Sequence, residues 1–118
     1  MSSSSQQPIA QIRVDEFAER RQVTVAPLQL IDVREPDEWA IVHLDDFILC
    51  PLSQFEQWSA SILERLDPAT ETIVMCHHGV RSAYMCQWLQ DQGFTHVKNL
   101  VGGIDAYAIA IDPNLRRY

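Results

Sequence analysis

The sequence is poor in several features that mark special classes of protein. It has only three cysteines in 118 residues, and this odd number argues against a disulfide framework and for a reducing, cytoplasmic compartment. No apolar run approaches the roughly 18 residues of a membrane span, and the first residues lack the basic and apolar stretches of a signal peptide. Basic residues are also few, nine against sixteen acidic ones. We therefore expect a cytoplasmic protein that binds neither membranes nor nucleic acids.

The residues that are present are enough for one folded domain. Apolar residues make up 47% of the chain and charged residues 21%, and a chain of this length can bury about two-thirds of its surface without disulfides. There is no internal repeat, low-complexity segment or linker after the serine-rich start. The sequence predicts a flexible tail over residues 1–8 and a single domain over residues 9–118, which we expect to be a monomer.

The apolar pattern predicts strands that alternate with helices. The predicted strands are 28–33, 47–50, 72–76 and 97–101, and the predicted helices are 15–22, 36–41, 53–66, 82–92 and 104–111. Ser53 and Glu56 have the spacing of a capping box at the start of one helix. Strands separated by helices favour an α/β fold with a parallel sheet covered on both faces. Such sheets place their functional sites outside the carboxyl ends of the strands.

One segment at such a strand end carries reactive side chains. Cys76 ends the predicted strand 72–76, and Ser82 begins the following helix. Gly79 lies between them and is free to adopt the positive φ that a sharp turn requires. This turn would direct several backbone N–H groups into a concavity at the positive end of the helix dipole. Helix N-termini and neighbouring cations such as Arg81 favour the thiolate form of cysteine. The segment therefore predicts a nucleophilic, ionised Cys76.

Simpler interpretations of the cysteines and histidines remain open at this point. A cysteine at a strand end can be buried and inert, although the glycine and arginine that follow Cys76 favour a nucleophile. Cys86 is interpreted as core packing, and Cys50, at another strand end, as a possible second thiol. A metal site made of Cys76, His77 and His78 is disfavoured, because adjacent histidines rarely converge on one ion. We expect no metal.

The loop 76–82, with the pattern Cys-x-x-Gly-x-Arg-Ser, resembles the active-site loop of rhodanese-type sulfurtransferases. Residues 31–39 are similar to the first signature of that family, and residues 99–107 to its closing signature. The resemblance covers about residues 9–118. It implies a single-domain, rhodanese-like three-layer α/β sandwich with a five-stranded, mainly parallel sheet and helices on both faces.

The resemblance also implies a function and a set of site residues. Cys76 would carry sulfane sulfur as a persulfide, taking it from thiosulfate or a persulfide donor and passing it to a thiol or protein acceptor. Asp32 and Arg34 would support the site, either as a scaffold ion pair or beside the reacting group. No metal or organic cofactor is required. The loop residues that would hold the donor and the negative sulfur are His77, His78, Gly79, Val80, Arg81 and Ser82.

Departures from the family pattern leave the donor and the biological role open. His77 stands where thiosulfate users often carry arginine, and Arg81 could either contact the donor or tie the loop to an acid. Four residues separate Cys76 from Arg81, whereas related phosphatases carry five, which favours sulfur transfer over phosphoryl transfer. The alternatives are a sulfur-relay protein that serves another protein and a non-catalytic interaction module.

Overall fold

The computed structural model describes residues 8–23 and 27–118, so the predicted tail lies almost wholly outside the described residues. The strands are β1 (Ala10–Ile12), β2 (Gln29–Asp32), β3 (Ile48–Leu49), β4 (Thr72–Met75) and β5 (Val97–Leu100). The helices are α1 (Val14–Val23), α2 (Pro36–Ile41), α3 (Phe55–Arg65), α4 (Val80–Asp91) and α5 (Gly103–Ala110).

The five strands form one sheet in the order β1-β5-β4-β2-β3. All four neighbouring pairs are parallel, and Asp32 of β2 lies opposite Met75 of β4. The α/β prediction is confirmed. Strand β1 was not predicted from the apolar pattern, because it has three residues at the sheet edge and only Ile12 is buried.

Side chains alternate across the central strand and build a core on each face of the sheet. Ile73 and Met75 join the apolar cluster that includes Phe17 of α1. Val74 and Cys76 point the other way, into the cluster that contains residues of α3 and α4. Because successive strand residues face opposite sides, one short strand contributes to both cores. The result is the predicted three-layer arrangement.

Two predicted helix starts are wrong, and each has a physical reason. Ser53 does not cap α3, because it lies in a 3₁₀ turn and its hydroxyl donates to the carboxylate of Glu35, which also accepts the Ser53 N–H at 3.2 Å. The helix predicted to begin at Ser82 begins at Val80, because Gly79 adopts φ 104° and serves as its N-cap. The loop before α4 is therefore shorter than predicted.

Candidate active site

Cys76 follows β4 directly and lies at the N-terminal end of α4. Its side chain is buried, with 1% of the residue exposed. The N–H of Gly79 donates to Cys76 Sγ at 3.0 Å, and Ser82 Oγ lies 3.3 Å from the same sulfur. A donated N–H and the positive end of a helix both stabilise negative charge on sulfur. The geometry therefore suits a thiolate or a persulfide anion at this position.

The start of α5 fixes the other side of the loop. Ile104 N–H donates to Cys76 O at 2.9 Å, and Asp105 N–H donates to His77 O at 3.1 Å. Since a trans peptide directs its N–H opposite to its C=O, the N–H groups that follow these two carbonyls point away from α5. Gly103 is required at this contact, because its φ is 62° and an added Cβ would lie 2.5 Å from His77 O.

Asn99 of β5 anchors the loop after Cys76 through two hydrogen bonds. Its Nδ2 donates to Gly79 O at 3.0 Å, and its Oδ1 is hydrogen-bonded by the hydroxyl of Ser82. Both Ser82 and Asn99 are buried. The sequence analysis placed Asn99 in the closing signature without assigning it a role, and a polar residue in a buried strand was the signal available.

Arg81 is bound to a carboxylate on α2. Its two terminal nitrogens donate to Glu38 Oε1 at 2.6 Å and to Glu38 Oε2 at 2.9 Å. The Arg81 guanidinium lowers the pKa of Glu38 to about 2, and the carboxylate raises the pKa of Arg81 in turn. Of the two roles left open for Arg81, the structure shows the tie to an acid. Glu38 was not singled out from sequence, because nothing local marks it as the partner of a residue 43 positions away.

Asp32 and Arg34 form an ion pair inside the protein. Both side chains are fully buried, and Arg34 Nη2 lies 2.8 Å from Asp32 Oδ2. Arg34 Nη2 also donates to Val42 O at 2.8 Å, which ties the end of β2 to the end of α2. An ion pair between these two residues is one of the two interpretations that the sequence left open. Because both side chains are buried, each charge is compensated by the other residue of the pair.

The two loop histidines differ in surroundings. The ring of His77 lies between that of His78, at 3.8 Å, and that of Tyr118, also at 3.8 Å and tilted by only 6°. Burial lowers the pKa of His77, and the neighbouring His78 lowers it further. Both effects favour the neutral form of the His77 ring. The side chain of His78 is 62% exposed, with Nε2 3.7 Å from Asp105 Oδ2.

These histidines and Asp105 bring three potential metal-ligand atoms within 4.8 Å of one another. A histidine lone pair lies in the plane of its ring, and the rings of His77 and His78 have centroids 3.8 Å apart and planes only 31° from parallel. Rings stacked in this way direct their lone pairs side by side more than towards one common ion. Asp105 is also engaged by Arg117 Nε at 2.8 Å. The cluster is therefore poorly arranged for a metal.

Val80 and the two other cysteines differ in exposure. Val80, the first residue of α4, is exposed. Burial raises the pKa of Cys50 to about 11 and that of Cys86 to about 12. Both thiols are therefore protonated at neutral pH, and both lie in the core cluster that also contains Cys76.

A parallel α/β sandwich with a thiol at the turn between a central strand and a helix places that thiol where backbone N–H groups can hold a negative charge. The sequence profile of the Rhodanese-like domain matches residues 14–110, and the chain belongs to this family. A rhodanese-like domain protein from Staphylococcus aureus has the same fold, with a TM-score of 0.74, 24% identity, and coverage of 93% of this chain and 99% of that one.

Three relatives illustrate the range of proteins that carry this domain. Rhodanese-like/PpiC domain-containing protein 12, chloroplastic, of Arabidopsis thaliana is 42% identical over 117 residues, which cover 98% of this chain and 39% of the relative. The probable adenylyltransferase/sulfurtransferase MoeZ of Mycobacterium tuberculosis is 38% identical over 77% of this chain and 23% of its own length. Thiosulfate sulfurtransferase GlpE of Coxiella burnetii is 26% identical over 84% of each chain.

The chain thus spans about two fifths of the Arabidopsis relative and about a quarter of MoeZ. Across residues 8–23 and 27–118, no helix is both long enough and apolar enough to cross a membrane.

Proposed function

We propose that the protein is a sulfurtransferase in which Cys76 carries sulfane sulfur as a persulfide. The observation that carries this proposal is the 3.0 Å hydrogen bond from Gly79 N–H to Cys76 Sγ at the start of α4. Membership of the rhodanese-like family and relatives named as sulfurtransferases support the reaction class. The sulfur comes from thiosulfate or a persulfide donor and goes to a thiol or protein acceptor.

The reaction has two half-reactions, as expected for covalent catalysis. The Cys76 thiolate attacks the outer sulfur of the donor, and a new S–S bond forms. With thiosulfate, the S–S bond of the donor breaks and sulfite leaves with the electron pair. An acceptor nucleophile then attacks the outer sulfur of the persulfide, and the Cys76 thiolate is released. The N–H of Gly79 stabilises the negative sulfur in both steps, as an oxyanion hole stabilises oxygen.

The charges around the loop favour a persulfide donor over thiosulfate. Arg81 is paired with Glu38, Arg34 is paired with Asp32, and burial lowers the pKa of His77, which favours its neutral form. Thiosulfate is a dianion, and the protein itself carries a net charge of −7, so long-range steering opposes its approach. An organic persulfide carries at most one negative charge on its sulfur. We expect thiosulfate to be accepted, but less efficiently than such a persulfide.

The relay alternative shares this chemistry and differs in the acceptor, which would be a second protein. The similarity to MoeZ, whose name combines an adenylyltransferase with a sulfurtransferase, supports the relay alternative. A cytoplasmic location and a monomeric state remain predictions.

Intact-mass spectrometry tests the proposal directly. The protein is incubated with thiosulfate or with cysteine persulfide and desalted, and its intact mass is measured before and after addition of cyanide. We expect the gain of one sulfur atom, removed by cyanide, in the wild type and in Cys86→Ser, and no gain in Cys76→Ser. Cys86→Ser is the matched control because Cys86 is buried in the same cluster and burial keeps its thiol protonated. A folded wild type that gains no sulfur from either donor would instead indicate a non-catalytic module.

A further inference from the structure

The segment that follows α5 returns to the active-site loop. Leu115 packs against the apolar cluster on the α1 and α5 side of the sheet. Arg117 then donates to both carboxylate oxygens of Asp105, at 2.8 Å and 3.2 Å. These two anchors place Tyr118 beside the loop that carries Cys76.

Tyr118 contacts three separate parts of the site. Its ring stacks on His77 at 3.8 Å. Its hydroxyl accepts a hydrogen bond from Arg34 Nη1 at 3.0 Å and donates one to Glu38 Oε2 at 2.8 Å. Burial raises the pKa of Tyr118 to about 12, so the hydroxyl keeps the proton that it donates. The phenol thus joins the end of β2, helix α2 and the loop.

The hydroxyl completes a chain of hydrogen bonds with consistent polarity. Arg34 donates to Asp32 and to Tyr118, Tyr118 donates to Glu38, and Arg81 donates to Glu38 from the other side. Every donor in the chain meets an acceptor, and the phenol joins the two ion pairs alongside a direct hydrogen bond from Arg34 Nη1 to Glu38 O at 3.3 Å. The buried pair at the end of β2 is therefore coupled to the arginine of the loop.

The stacking contact with Tyr118 restrains the ring of His77, which has a buried nitrogen left unpaired within the described part of the chain. His77 Nε2 is buried and has no hydrogen-bond partner among the described residues, and a buried polar atom without a partner is unfavourable. Rotation of the ring towards water would relieve this penalty, but the ring of Tyr118 covers His77. Because His77 is the next residue after Cys76, movement of its backbone would disturb the loop.

We infer that Tyr118 is a positioning residue for the active-site loop. It holds His77 and the Glu38–Arg81 pair so that the Gly79 N–H stays directed at Cys76 Sγ, and it does not itself contact the sulfur. The inference rests on the proposed function for its effect on catalysis. Its effect on loop structure is independent of that function and can be measured separately.

Three variants test the inference: Tyr118→Ala, Tyr118→Phe and, as the matched control, Tyr84→Ala. Tyr84 is on α4, 70% exposed, and outside this chain of contacts. Steady-state sulfur transfer gives kcat and KM, proton NMR titration follows His77, and hydrogen exchange follows the Gly79 amide. Circular dichroism confirms that each variant is folded.

Tyr118→Ala should lower kcat by about tenfold with little change in KM, because a misplaced donor group costs transition-state stabilisation and misplacement of about 1 Å can cost 10²-fold. The titration midpoint of His77 should rise towards 6.5, since burial is the main cause of its lowered pKa. The Gly79 amide should exchange about tenfold faster, because its hydrogen bond to sulfur is held less well.

Tyr118→Phe keeps the ring and should restore the His77 titration, with kcat between the wild type and Tyr118→Ala. Tyr84→Ala should match the wild type in all three measurements. Unchanged His77 titration and Gly79 exchange in Tyr118→Ala would overturn the inference. If those two change but even the wild type transfers no sulfur, the positioning role stands and the proposed function fails.

Discussion

Substitution of Gly103 by alanine should damage the active-site loop from its outer side. The residue has φ 62°, and the added Cβ would lie 2.5 Å from His77 O and 2.6 Å from His77 C. Ordinary contact begins at about 3.4 Å, so the loop backbone has to retreat by about 0.9 Å. Backbone atoms cannot rotate away as the end of a long side chain can. The displacement is therefore passed on to Cys76.

Two costs add in this variant. A left-handed conformation at a residue with a Cβ costs about 1–2 kcal/mol, and overpacking against a well-packed neighbour typically costs about 1–3 kcal/mol. The free energy of unfolding should fall by about 2–5 kcal/mol, which lowers Tm by roughly 8–20 °C for a domain of this size. A shift approaching 1 Å at Cys76, the proposed nucleophile, should lower kcat/KM by up to about 10²-fold.

Gly93→Ala separates the two costs. Gly93 also has a positive φ, 96°, but an added Cβ would meet nothing within 4 Å. We expect this variant to lose only the conformational term of about 1–2 kcal/mol and to keep wild-type kcat/KM. Thermal melts by circular dichroism and sulfur-transfer kinetics at 25 °C measure both quantities. Equal stability losses in the two variants, with full activity in Gly103→Ala, would refute the role assigned to the contact between α5 and the loop.

Two further predictions concern charge. The value of kcat/KM for thiosulfate should rise with added salt, because the protein carries a net charge of −7 and repels the dianion. Salt shortens the range of this repulsion from roughly 10 Å at 0.1 M to roughly 3 Å at 1 M. A clear fall in kcat/KM would show that local positive charge at the loop controls the encounter. Glu38→Gln should have a lower Tm than the wild type at pH 6, and this difference should close as pH falls from about 4.5 to about 2. Because the pKa of Glu38 is lowered in the folded protein, its carboxylate stabilises the fold above the pKa of the unfolded chain, and this stabilisation is lost when the carboxylate is protonated. A Tm difference that persists unchanged at pH 2 would contradict this.

Sequence reasoning was strongest where local pattern and chemistry coincide. The strand, the glycine turn and the helix around Cys76 are consecutive in the chain, so their order alone predicted where the thiol lies. Strand β1 was missed because three edge residues leave no apolar pattern. The Ser53 capping box was wrong because a carboxylate distant in sequence, that of Glu35, binds the same hydroxyl.

The residues that contact the loop could not be predicted from a single sequence for a related reason. Glu38 lies within a segment that the resemblance covered, yet its pairing with Arg81 depends on how α2 lies against the loop. Tyr118 follows the last helix in a segment without periodic pattern. Neither the stacking on His77 nor the hydrogen bond to Glu38 leaves a trace in local spacing.

The alternation of side chains along β4 has a consequence for engineering this protein. Met75 belongs to the apolar cluster on one face of the sheet, and Cys76, its neighbour, belongs to the cluster on the other. A volume change in the cluster of Met75 therefore reaches Cys76 through one peptide unit, and a change in the other cluster reaches Cys76 directly. Mutations that raise thermal stability by filling either interior risk a shift at the Cys76 sulfur. Exposed positions on α1 and α3 offer stabilising substitutions that leave this strand undisturbed.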